Sequence, residues 1–117
     1  MKQTLCVFNR NRESFLGLRV APADTLLTRL RGLLGKIGLK PGDGIWLVPS
    51  RGIHTIGMLF AIDVVALSKD LRVLKLWHCL VPFRMTCVNL KIHSMLELPA
   101  GTIRACEMRV GDQLELT

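Results

Sequence analysis

Apolar and polar positions alternate along most of this chain in short runs broken by turn residues, a pattern that predicts strands. Residues 4–8 form the first run and residues 14–20 the second. The polar stretch 9–13 between them predicts a hairpin with a loose loop. The period changes over residues 22–34, where Leu26, Leu27, Leu30, Leu33 and Leu34 fall on one helical stripe flanked by Arg29 and Arg31. Asp24 is placed to cap that helix, with Pro22 as the alternative mark of its first turn. Gly35 fits the position just past its end, and Lys36 suits the negative pole there.

Pro41, Gly42, Asp43 and Gly44 make a turn cluster, followed by a short apolar strand over 45–48 that Pro49 stops. After an irregular or extended stretch at 52–57, residues 59–68 are the most apolar segment. Phe60, Ile62, Val64, Val65 and Leu67 there predict a buried central strand. Across a turn at Lys69 and Asp70, Val73, Lys75 and Trp77 alternate with Leu74, Leu76 and His78, which predicts its hairpin partner. Pro82 argues against a central strand over 81–91. Residues 94–98 form another strand, 101–109 a helical turn or two, and 113–116 an edge strand. These elements predict a mainly β (α+β) single domain over residues 1–117, a small barrel or sandwich with one amphipathic helix near residues 23–34 covering an open side.

At 117 residues the chain is long enough for one hydrophobic core without staples. Half of it is apolar, which excludes disorder, and four Phe, two Trp and no Tyr leave few surfaces for stacking on bases. The net charge of +7 attracts anions, but the basic residues run from Lys2 to Arg109 and form no block. Cys6, Cys79, Cys87 and Cys106 make no CxxC pair. Neither an export signal nor an apolar run long enough to span a membrane is found, so a cytoplasmic protein with free thiols is expected.

Four blocks carry a resemblance. Residues 29–35 read Arg-Leu-Arg-Gly-Leu-Leu-Gly; a second block holds Ile53, His54, Thr55, Gly57, Met58, Phe60, Ile62, Asp63, Val64 and Val65; a third reads Leu96-Glu97-Leu98-Pro99-Ala100-Gly101; a fourth is Val110-Gly111-Asp112. In this order and spacing they resemble the domain-of-unknown-function 192 family of bacteria and archaea, from about Ala23 to the end. The resemblance implies a small β-rich domain. The family has no settled activity, substrate or cofactor, so no catalytic residue carries over. One departure stands at Ala66-Leu67-Ser68-Lys69, where the family tends to an aromatic and then an acidic residue.

The block from Ile53 to Asp63 holds the most suggestive chemistry. A histidine titrates near neutrality and an aspartate can orient it, so His54 and Asp63 could face a pocket, with Glu97 as a third member. Against this, a carboxylate inside an apolar run needs partners, and Asp63 could instead accept backbone N–H bonds and pin the loop carrying His54 and Thr55. Glu97, between Leu96 and Leu98, is expected to face solvent by alternation. His54, His78, Cys79, Cys87 and His93 match no zinc pattern, and the adjacent His78 and Cys79 should point to opposite faces of a strand. Nor do Cys79 and Cys87, with His78 or His93 as base, come with an elbow motif or oxyanion signature. The glycines at 32 and 35 lack phosphate-loop spacing; Gly32 reads as a close packing point.

The leading expectation is a noncatalytic binding or accessory domain whose site comprises His54, Thr55, Met58, Asp63 and Glu97. No catalytic residue, metal or cofactor is assigned. A protein partner or small ligand is expected rather than a nucleic acid. The alternatives are a metal-dependent or hydrolase-like enzyme using His54, Asp63 and Glu97, and a nucleic-acid or anionic-surface binder acting through the basic surface.

Overall fold

The alternation becomes seven strands and one short helix among the residues that a computed structural model describes, 4–23, 38–53, 55, 58–86 and 88–117. In chain order these are β1 (Leu5–Asn9), β2 (Ser14–Ala23), β3 (Asp43–Leu47), β4 (Ile62–Leu67), β5 (Val73–Leu80), β6 (Ser94–Pro99), α1 (Thr102–Ala105) and β7 (Leu114–Leu116). They form a single sheet in the order β5-β4-β6-β3-β2-β1-β7, curled into a half-barrel. Every neighbouring pair is antiparallel except β2–β3. A parallel pair requires a crossover, here residues 24–42. The predicted helix falls in that connection, and its residues from Asp24 to Lys36 lie outside the described ones. A first helical turn at Pro22 does not hold, because Pro22 and Ala23 extend β2 and pair with Trp46 and Leu47.

β4 is buried at all six positions because both faces of the sheet are covered there. On one face Val65 and Leu67 join Leu96 and Leu98 of β6 and Val7, Leu16 and Val20 of the first hairpin, with Ile103 of α1 closing the cluster. On the other, Ile62, Val64 and Ala66 join Met95, Ile45, Leu47, Ala23 and Met58. β3 and β6 approach closely at Gly44, where a Cβ would lie 2.9 Å from the Glu97 carbonyl oxygen and 3.0 Å from Leu98 Cδ2. Only a residue without a side chain fits that contact.

The loop at 9–13 is tied rather than loose. Asn9 is fully buried, and its side-chain oxygen accepts the N–H groups of Asn11 and Arg12 at 3.0 and 3.2 Å. Its amide nitrogen donates to Asp112 Oδ2 at 2.9 Å, and Arg12 Nε lies 3.3 Å from the same oxygen. Burial alone would raise the Asp112 carboxyl. Hydrogen bonds from Asn9, from the Arg109 N–H and from Arg12, together with the Arg12 charge, hold it below the usual value instead. The turn around Asp112 also joins the two ends of the sheet. The Val73 N–H donates to the Asp112 carbonyl at 2.8 Å, and the Leu114 N–H to the Leu71 carbonyl at 3.0 Å.

Candidate functional site

Outside the seven strands, Ile53 and Thr55 pair with residues 81–86 through two threonines. The Thr55 N–H donates to the Arg84 carbonyl at 2.8 Å, while Thr55 Oγ1 accepts the Arg84 N–H at 2.8 Å and donates to the Val81 carbonyl at 2.6 Å. Thr86 repeats the device: its Oγ1 accepts the Ile53 N–H at 2.9 Å, and its own N–H donates to the Ile53 carbonyl at 2.9 Å. Thr55 is fully buried, and its hydroxyl satisfies backbone groups that Pro82 and the irregular loop would otherwise leave unpaired. Met58 is also buried, packed beneath the pair in the second apolar cluster.

Asp63 is fully buried and accepts three backbone N–H groups: Cys79 at 2.9 Å on Oδ1, and Gly101 at 3.1 Å and Ile103 at 2.8 Å on Oδ2. It thus makes backbone bonds, as weighed from the sequence, but these three anchor β5 and the start of α1 rather than the loop of Thr55. Gly101, at φ +94, supplies the left-handed turn that brings these N–H groups to the carboxylate. The Cys79 contact sits at a bulge, where the register shifts between the pairs Ile62–Leu80 and Val64–Trp77. His78 and Cys79 are both exposed.

Glu97 is buried, not solvent-facing as alternation suggested. It pairs with Val64 on one side and Ile45 on the other and points into the second apolar cluster. Burial pushes its carboxyl up to about 7, and Oε1 has no hydrogen-bond partner among the described residues. Asp63 pairs with Leu98 and Glu97 with Val64, so the two carboxyls project from opposite faces of the β4–β6 ladder. The structure does not bring them together as an acid–base pair. His54 lies outside the described residues. Among those described, no three His, Cys, Asp or Glu side chains are grouped to share a metal ion.

What the lobe presents outward is apolar. Leu59 is 65% exposed, Phe83 70%, Met85 71% and Val88 72%, and Val81 is exposed to a lesser degree. Sequence reasoning left 81–91 open and missed these residues. The available signal was a run of large apolar side chains that Pro82 bars from a buried strand.

The family model of domain-of-unknown-function 192 (DUF192, Uncharacterized ACR) matches residues 7–116. No curated protein matches the chain. Two crystal structures are similar in fold. One is a protein of unknown function from Novosphingobium aromaticivorans DSM 12444, 18% identical, with a TM-score of 0.82 over 96% of this chain and 83% of that one. The other is a candidate transcription regulator from Sinorhizobium meliloti 1021, 19% identical, with a TM-score of 0.83 over 99% of this chain and 94% of that one. At such identities the likeness is one of fold alone.

Proposed function

The chain belongs to the DUF192 family, and from that premise we propose that it is a noncatalytic binding or accessory domain whose recognition surface is the lobe built on the Ile53 to Asp63 block. The observation that carries this reading is the exposure of Leu59, Phe83, Met85 and Val88 on loops held by buried hydroxyls. Large apolar side chains clustered in water mark interaction sites. Within the block, Thr55 and Met58 act as supports that fix the shape of the surface, Asp63 anchors β5 and α1 on the other face of the sheet, and Glu97 lies on the face of the sheet that carries the Met58 cluster. With Cys6, Cys79 and Cys106 free, the cytoplasm is the compartment this reading assigns.

The occupant is a segment of another protein that combines apolar side chains with carboxylates. No Asp or Glu occurs anywhere in residues 44–62 or 71–96, which together supply the lobe, and Arg84 stands between Phe83 and Met85. A second copy would bring the same cations against themselves. Two amphipathic peptides with the same apolar face, one with an acidic rim and one with a basic rim, test this by NMR titration. The acidic peptide should shift the resonances of Leu59, Phe83 and Met85, and Phe83→Ser with Met85→Ser should weaken it by about tenfold or more. Equal binding of both peptides, binding of neither, or self-association at this surface overturns the proposal.

A further inference from the structure

A second surface, independent of the apolar lobe, lies where the loops after β3 and β4 meet the loop before β6. Backbone hydrogen bonds hold the three together. The Ser50 N–H donates to the His93 carbonyl at 2.9 Å, the His93 N–H to the Leu67 carbonyl at 2.9 Å, and the Asn89 N–H reaches the Arg51 carbonyl at 3.4 Å. Asn89 also fixes the turn beside them, its side-chain oxygen accepting the Lys91 N–H at 2.9 Å. Between these loops opens a cleft of about 580 Å³. That volume falls within the range of about 300–1,000 Å³ found for small-molecule sites.

The lining has a clear chemical character. Arg51, Lys69, Lys91 and His93 supply the nitrogen groups, Ser50 a hydroxyl, and among the described residues no carboxylate lines the cleft. Pro49, Leu90 and Ile92 form an apolar wall. Three arginines elsewhere are neutralised: Arg10 by Glu115, Arg12 by Asp112 and Arg19 by Asp43, at 3.2, 3.3 and 2.7 Å. Arg51, Lys69 and Lys91 have no such ion pair among the described residues. Three cations brought together around one concavity without a carboxylate repel one another, and an anion entering the cleft relieves that repulsion. The arginine fork matches a phosphate edge in two-point geometry, and the lysines add charge without directional demand. The apolar wall offers contact to an organic body next to the anionic group.

We propose that this cleft binds a small organic phosphate, with the phosphate held by Arg51, Lys69 and Lys91 and the organic part against Pro49, Leu90 and Ile92. The test is an NMR titration of the full chain with 1-naphthyl phosphate, inorganic phosphate, neutral 1-naphthol and a single-stranded oligonucleotide. Naphthyl phosphate should give saturable shifts confined to residues 49–52, 69 and 89–93, at least about tenfold tighter than inorganic phosphate, while naphthol gives none. Arg51→Gln with Lys91→Gln should weaken it about tenfold or more at unchanged melting temperature, and Arg10→Gln should change nothing. The proposal is overturned by no saturation up to about 10 mM, equal affinity for inorganic phosphate, equal binding of naphthol, or shifts spread over Arg10 and Arg19 as well. Preference for the oligonucleotide, with affinity falling steeply in salt, overturns it in favour of nucleic-acid binding.

Discussion

Asp63 and Glu97 are both buried carboxyls on adjacent strands, yet their surroundings make them opposites. Three backbone N–H groups surround Asp63, whereas Glu97 has apolar neighbours and an oxygen unpaired among the described residues. In Asp63→Asn an amide NH₂ replaces one accepting oxygen and faces backbone donors. Destabilisation of about 3 kcal/mol is expected in urea unfolding. Glu97 predicts a pH dependence. Its folded carboxyl titrates near 7 against an unfolded value of 4.5, so the folded state holds the proton more tightly. Stability should therefore fall as pH rises from about 4.5 to about 7, by about 3 kcal/mol in all, and level off above. Glu97→Gln should flatten that slope. The burial of Asp63 was legible in the sequence because apolar residues surround it on both sides. That of Glu97 was not, because alternation assumes one wet face, and β6 lies between β3 and β4 with both faces covered.

At the scale of elements, β4 and β5 announced themselves through branched side chains and a polar turn, and their pairing follows the predicted hairpin. The parallel pairing of β2 with β3 was not legible, since nothing local in residues 14–47 encodes which distant edge a strand will meet. The close approach at Gly44 is another contact between elements far apart in sequence. Gly44→Ala pushes a methyl against the Glu97 carbonyl, and a loss of about 1–3 kcal/mol is expected by thermal unfolding. The pairing of Ile53 and Thr55 with residues 81–86 also escaped the sequence, because a few backbone bonds and two threonine hydroxyls make it without a regular strand pattern. Thr55→Val keeps the shape but strands the Val81 carbonyl and the Arg84 N–H. It should cost about 1–3 kcal/mol and speed amide exchange at residues 84–86, while Thr55→Ser should behave nearly as the parent.

Over the whole molecule, the charge that composition reported only as a sum turns out to be sorted. Arginines near the first hairpin meet carboxylates, while those of the lobe and cleft meet none among the described residues. Asp112 and Glu97 further set opposite pH slopes. Asp112, held below the usual carboxylate value, contributes stability above that value and loses it as pH falls into the acid range, whereas Glu97 costs stability as pH rises toward neutrality. Together they predict a stability maximum on the acid side of neutrality, to be read from denaturant midpoints across pH. Asp112→Ala should remove the acid limb of that curve.

β1 completes its pairing only against β7, with Cys6 and Thr117 exchanging backbone hydrogen bonds at 2.9 and 3.0 Å. A ribosome makes these two strands at opposite ends of its work on this domain. Until residues 114–117 exist, β1 offers a bare row of donors and acceptors to any other nascent strand nearby. The domain is thus committed to finishing its sheet late, and its yield in a cell depends on what shields β1 in the meantime.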